Sequence, residues 1–113
     1  MSDCIFCRIA AGEIAADLVE SDDDLVAFRD LHPQAPVHVL VIPRRHIASL
    51  AEVEASDEEV LGKLYAATAR LARRLGLDGN FRVVTNSGAR AGQSVFHLHA
   101  HLLGGRDFDW PPG

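Results

Sequence analysis

The chain has no apolar run approaching the ~20 residues that a membrane-spanning helix requires. Asp3, Arg8 and Glu13 interrupt its first turns, so no signal-peptide hydrophobic segment is read there, and a cytoplasmic location is the default expectation. Positive charge is in deficit: 11 Lys and Arg against 16 Asp and Glu leave a net charge of −5. That balance argues against general nucleic-acid binding, though not against a local pocket for one small phosphate ligand. Cysteine is scarce as well. Cys4 and Cys7 are the only two, which, with no secretion signal read, argues against a disulfide framework. Nothing repeats, and no low-complexity segment or linker divides the chain. Its 113 residues therefore read as one domain, 1–113, of soluble globular composition.

Histidine, by contrast, is concentrated. Three of six fall in Phe96-His97-Leu98-His99-Ala100-His101-Leu102-Leu103, alternating with apolar residues. A period of two predicts a strand over 96–103. His97, His99 and His101 would then share one face, with successive imidazoles roughly 7 Å apart. Phe96, Leu98, Ala100 and Leu102 would face a core. A solvated row of polar residues is the ordinary reading of such alternation. Three imidazoles in register also suit a nucleophile, a proton shuttle or a metal site. The preceding loop, 86–94, is rich in glycine and hydroxyls and can aim backbone N–H groups at a phosphate. It lacks the lysine and spacing of a P-loop.

The remaining elements read as follows. Ile5, Phe6, Ile9 and Ile14 have roughly helical spacing and predict a short N-terminal helix. Strands are expected over 17–21 and 25–29, joined by the acidic turn Asp22-Asp23-Asp24. The run 37–43 is apolar and β-branched, as in a central strand, with His38 on the face of Leu40 and Ile42. Residues 56–76 read as a long helix with a capping box of Ser56 and Glu59. Its apolar stripe is Leu61, Leu64, Thr68, Leu71 and Leu75, and Gly76 stops it. Arg70, Arg73 and Arg74 suit its negative end. A further strand spans 81–86. This order predicts an α+β fold with a mainly antiparallel sheet. The pair Cys4-x-x-Cys7 has the spacing of half a zinc site but lacks two ligands, and spacing alone does not choose them among six histidines. A redox pair would need a strand before Cys4, for which there is no room.

His97-Leu98-His99-Ala100-His101-Leu102-Leu103 resembles the signature of the histidine triad (HIT) family, with Ala100 smaller than is common there. Gly92-Gln93-Ser94-Val95 and the closing Trp110-Pro111-Pro112-Gly113 resemble its Hint branch. Pro33-Gln34-Ala35-Pro36-Val37-His38 and Val41-Ile42-Pro43-Arg44-Arg45-His46 extend the likeness over nearly the whole chain. The resemblance implies a HIT-like fold: a five-stranded sheet with one long and one short helix, pairing into a ten-stranded homodimer. It implies hydrolysis of purine nucleoside 5′-phosphoramidates, with His99 attacking the α-phosphate to form a nucleotidyl-histidine. His101 would contact the phosphate, His97 would fix the array, and His38 would lie behind the triad. Ser94 would bond near the leaving group, and Asp30 would hold the ribose hydroxyls. Phe6, Ile9, Phe28 and Leu31 would wall the purine, while Asn86, Gly92 and Gln93 would serve the ribose and phosphate side. A structural zinc on Cys4, Cys7, His46 and His97 is implied, though not required for the chemistry. Three alternatives stay open: a dinucleoside polyphosphate hydrolase, a non-enzymatic nucleotide-binding module stabilised by zinc, and a metal centred on the triad itself.

Overall fold

A computed structural model describes residues 3–113. The fold is built around one strand. Val37–Pro43 (β3) is hydrogen-bonded on both sides, to Leu25–Arg29 (β2) and to Ala100–Gly104 (β5), all antiparallel. Leu18–Ser21 (β1) pairs with β2, and Phe81–Val84 (β4) pairs with β5. The sheet order is β1-β2-β3-β5-β4, which leaves β1 and β4 at the edges. Because β3 is central, both of its faces are covered, and all its residues after Val37 are buried. Valine and isoleucine fill a pleated surface well, which is why this run forms a strand.

The two faces carry different cargo. Val39 and Val41 of β3, with Leu25, Ala27, Ala100 and Leu102, pack against the long helix Glu58–Arg74 (α2). Leu40 and Ile42, with Val26 and Phe28, pack against the short helix Ile5–Ala10 (α1) through Phe6. His38 shares this second face by strand parity. The candidate residues Phe6 and His38 therefore lie on the α1 side of the sheet, and α2 packs on the other. Leu64, Thr68 and Leu71 of the α2 stripe are buried, flanked by half-buried Leu61 and Leu75.

Several boundaries differ from expectation. Helix α2 begins at Glu58, behind a 3₁₀ turn Ala55–Asp57. The capping box belongs to that turn and is made by Glu54 and Asp57, whose carboxylate accepts from the Glu54 N–H at 2.9 Å and pairs with Arg45. Ser56 and Glu59 do not make the box. Arg73 and Arg74 lie in the last turn of α2, and Arg70 and Arg74 also hold Glu20 of β1, at 2.6 and 2.9 Å. The helix stops as foreseen. Gly76 takes φ +75°, and the N–H groups of Gly76 and Leu77 donate back to Arg73 and Ala72, the paired bonds of a glycine-terminated helix. Helix α1 is shorter than the apolar spacing suggested and leaves Ile14 in the following loop. Strand β1 omits Asp17, and β4 ends at Val84 rather than at 86.

The largest correction concerns the histidine run. The ladder begins only at Ala100, so 96–99 lie outside it. Leu98 N–H donates to the Ile47 carbonyl at 2.6 Å, and the His97 carbonyl is taken by the His99 side chain. Those bonds replace ladder bonds. Leu98, Ala100 and Leu102 still enter the core, but Phe96 is 49% exposed. Leu71 is fully buried at the centre of the α2 interface. Its replacement, Leu71→Ala, is expected to destabilise the fold by about 2–5 kcal/mol, read from urea denaturation midpoints.

Candidate active site

A cavity of about 260 Å³ opens on the α1 side of the sheet. Ile5, Phe6 and Ile9 of α1 and Phe28 and Leu40 of the sheet give it apolar walls. Asp30, Ser94, His99 and His101 supply the polar end. A mostly apolar cleft with a few convergent polar groups is the usual form of a small-ligand site.

The hydrogen bonds fix the state of each imidazole. His99 Nδ1 lies 2.7 Å from the His97 carbonyl oxygen. A carbonyl only accepts, so Nδ1 carries the proton and Nε2 of the neutral ring is left with its lone pair. His38 is constrained in the opposite sense. Its Nδ1 accepts from the Gln34 N–H at 3.0 Å, so the proton of neutral His38 sits on Nε2. That Nε2 donates to His101 Nδ1 at 2.9 Å. The proton of neutral His101 is therefore on its Nε2. Asp30 Oδ2 stands 3.5 Å from His38 Nε2, while its Oδ1 accepts from the His32 N–H at 2.7 Å. One ring thus offers a lone pair and its neighbour an N–H, with ring centroids 4.9 Å apart.

Burial favours the neutral form of two of these rings, His38 and His101. His101 is pushed down to about 4, first by burial and then by His99 and His38, with Asp30 opposing. His38 is lowered by burial against the pull of Asp30.

His97 belongs to a second cluster. Its Nε2 donates to the Pro43 carbonyl at 2.7 Å, which leaves Nδ1 as the lone-pair nitrogen. That Nδ1 lies 3.3 Å from Cys4 Sγ, 3.4 Å from Cys7 Sγ and 3.3 Å from His46 Nδ1. His46 Nδ1 is 3.3 Å from Cys7 Sγ. A tetrahedral ion with bonds of about 2.3 Å to sulfur and 2.05 Å to nitrogen spaces S and N about 3.5 Å apart and two N about 3.3 Å apart. The four side chains therefore fit such an ion, with the carbonyl of Pro43 orienting one ligand. His97, His99 and His101 do not form a metal centre together. Among the described residues no metal-capable group contains two of them. Asp30, His38 and His101 also converge, but the Gln34 N–H holds the proton on the His38 nitrogen that would have to bind.

The structure brings Phe6, Ile9, Phe28, Asp30, Leu31, Ser94, His99 and His101 to one cavity, as the sequence suggests. Asn86, Gly92 and Gln93 do not line it. Gln93 is buried and spends its amide on the loop. Its Oε1 accepts from the Gly88 N–H, and its Nε2 donates to the carbonyls of Ala48 and Val95. Gly92 has φ +99°, and the Asn86 side chain would lie 3.7 Å from a Cβ there. These residues shape the loop that presents Ser94. Sequence reading missed Ile14, His32, Leu40 and Val95 as lining residues. Leu40 was visible as a core position on the His38 face and Ile14 by its spacing with Ile5 and Ile9; His32 and Val95 sit in loops with no period to betray them.

Residues 11–108 match the HIT domain family model. An uncharacterized HIT-like protein of Synechocystis is 49% identical over 111 residues, covering 98% of this chain and 97% of that protein. The crystal structure of a HIT family hydrolase from Legionella pneumophila superposes with a TM-score of 0.96 at 46% identity, covering 98% of this chain and 100% of that one. A histidine triad nucleotide-binding protein from Candida albicans superposes at 0.83 with 32% identity, over 96% and 83% of the two chains. No helix among the described residues is long and apolar enough to cross a membrane.

The neutral state of His101 has a consequence for stability. In the unfolded chain an imidazole takes up its proton near pH 6.5, whereas folded His101 does so only at about 4. Between those values the unfolded state binds more protons, so stability falls as pH falls. Urea midpoints are expected to drop from pH 7 to pH 4.5, and His101→Gln is expected to flatten that slope. An unchanged slope in the variant would show that His101 is not the group responsible.

Proposed function

The chain belongs to the HIT domain family, and on that premise we propose that it hydrolyses purine nucleoside 5′-phosphoramidates, as members of the Hint branch do. The observation that carries this reading is the His99 hydrogen bond. With Nδ1–H committed to the His97 carbonyl, the Nε2 lone pair is the nucleophile on a residue lining the cavity. The name of the Candida albicans relative, a nucleotide-binding protein, supports a nucleotide in that cavity. The name of the Legionella relative supports the hydrolase class.

The chemistry follows from the donors in place. The purine lies between the apolar walls of Phe6, Ile9, Phe28 and Leu31. Asp30 accepts from the ribose hydroxyls. His99 Nε2 attacks the α-phosphorus, the P–N bond breaks, and the amine departs carrying a proton. The nucleotide is then held on His99 until water displaces it and AMP or GMP leaves. His101 Nε2–H donates to the phosphate oxygens where negative charge develops, and Ser94 bonds near the leaving amine, whose proton comes through the relay of His38, His101 and Ser94. His38 holds His101 in the donating tautomer. His97 holds His99 through its backbone and not through its ring.

Cys4, Cys7, His46 and His97 hold zinc in this reading. The ion supplies a structural crosslink there, and the transfer steps are carried by the side chains in the cavity. The protein works in the cytoplasm as a homodimer joined along β4, whose outer side lies open at the sheet edge.

Intact-mass spectrometry after a short quench with an adenosine 5′-phosphoramidate tests the covalent step. The wild type is expected to gain an adenylyl mass and release AMP. His99→Ala is expected to lose turnover by 10³-fold or more, on the order of the loss when a covalent nucleophile is removed, while still binding AMP. Near-normal turnover in that variant would sink the mechanism. Faster release from a diadenosine polyphosphate than from the phosphoramidate would move the substrate class to dinucleotides, and AMP binding without either hydrolysis would favour a binding module.

Metal analysis and sedimentation of the purified protein test the rest. One zinc per chain and twice the chain mass are expected. Cys4→Ser/Cys7→Ser is expected to lose the zinc, and zinc surviving both changes would refute the site.

A further inference from the structure

The cysteine cluster and the cavity share their walls. Helix α1 has six residues, well under the roughly 12–15 at which a helix is stable alone in water. It stays in place by what grips its ends. Arg44 holds the C-terminal end by donating to the Ala10 carbonyl at 2.6 Å, while also donating to Asp22 and Ser21 of the β1–β2 hairpin. The N-terminal end carries Cys4 and Cys7, which meet His97 and His46 from far along the chain.

Phe6 stands between the two cysteines in sequence and between the two sites in space. Its ring meets His97 edge-on at 6.0 Å, His99 at 5.1 Å and Phe28 at 5.4 Å. It is buried, and it is a wall of the cavity. A second path runs through one residue. The His97 ring faces the thiols, and the His97 carbonyl holds His99.

We propose that metal binding at Cys4, Cys7, His46 and His97 and nucleotide binding in the cavity are positively linked, through Phe6 and through the His97 backbone. The inference rests on the nucleotide reading of the cavity given above. Without the crosslink, the N-terminal end of α1 is held by the ring contacts of Phe6 and by the separate contacts of Cys4 and Cys7 with His97 and His46, a looser clamp than one ion on all four, and a nucleotide bears more of the cost of ordering that wall on binding. With the crosslink, the wall and His99 are set before the nucleotide arrives. Linkage is reciprocal, so a nucleotide also tightens the hold on the metal by the same factor.

The test is a thermodynamic square on the whole protein, with zinc chloride and AMP as probes. AMP affinity is measured by calorimetry on metal-free and zinc-loaded protein. Zinc affinity is measured by competition with a chromophoric chelator, with and without saturating AMP. Both ratios are expected to agree and to lie in the roughly 5–150-fold range of coupled sites. Phe6→Ala keeps all four ligands, so zinc still binds while the ratio falls toward one. Equal AMP affinity in both metal states overturns the linkage and leaves the nucleotide reading standing. No AMP binding in either state overturns the nucleotide reading, and the linkage with it. No zinc binding, or a full ratio retained in Phe6→Ala, overturns the coupling as drawn.

Discussion

The 2.7 Å bond from His99 Nδ1 to the carbonyl of His97 sets the character of the site. It makes one imidazole nitrogen a fixed donor and leaves the other as a base and nucleophile. It also takes a carbonyl that a regular strand would have spent on its neighbour, so the sheet opens just before Ala100. The same residue whose backbone performs this task turns its ring the other way, toward Cys4 and Cys7. In the proposed mechanism the three histidines at alternate positions take three separate jobs: ligand, nucleophile and phosphate donor. Each is selected by the group that accepts from or donates to its second nitrogen.

The sheet makes this division possible. Strand β3 is covered on both faces, so its parity assigns each side chain to scaffold or site. Val39 and Val41 go to α2, while Leu40 and Ile42 go to the face of the cavity. His38 arrives on the cavity face already buried, with Gln34 and Asp30 from the preceding loop around it. Strands therefore place His38 and His101, and the loops contribute Asp30 and the parts that must approach a ligand closely.

Much of this was legible in the residues. The bounds of β2 and β3 followed from β-branched content, and the α2 stripe from its period, because packing against a single sheet face enforces both patterns. The histidine run was legible as chemistry but not as geometry. Alternation reports which side chains point alike and says nothing of where the His97 carbonyl or the Leu98 amide finds its partner. The start of α2 was misplaced for a similar reason: Asp57 is fixed by Arg45, a partner outside any local motif. Gln93 read as a ligand contact only through the family resemblance, and its amide closes the loop on itself and on Ala48. The cysteine pair announced a metal-like spacing, but its two histidine partners lie 39 and 90 residues away from Cys7. Only the fold, or likeness to a family, can bring them together.

The two arginines on Glu20 bear on how far the sheet can grow. Strand β1 is one of two open edges, and its register is broken between Leu18 and Glu20. Arg70 and Arg74 draw Glu20 toward α2, and Arg74 also takes the Val19 carbonyl. A short, irregular, charged edge is a poor template for another strand. Among the described residues the β4 edge shows no such ion pairs; its one charge, Arg82, is turned to the Asp109 carbonyl and the Phe108 ring. Two chains that meet along β4 consume both unguarded edges and leave only β1 edges outside. Association by that route closes at a pair and does not propagate into a fibre.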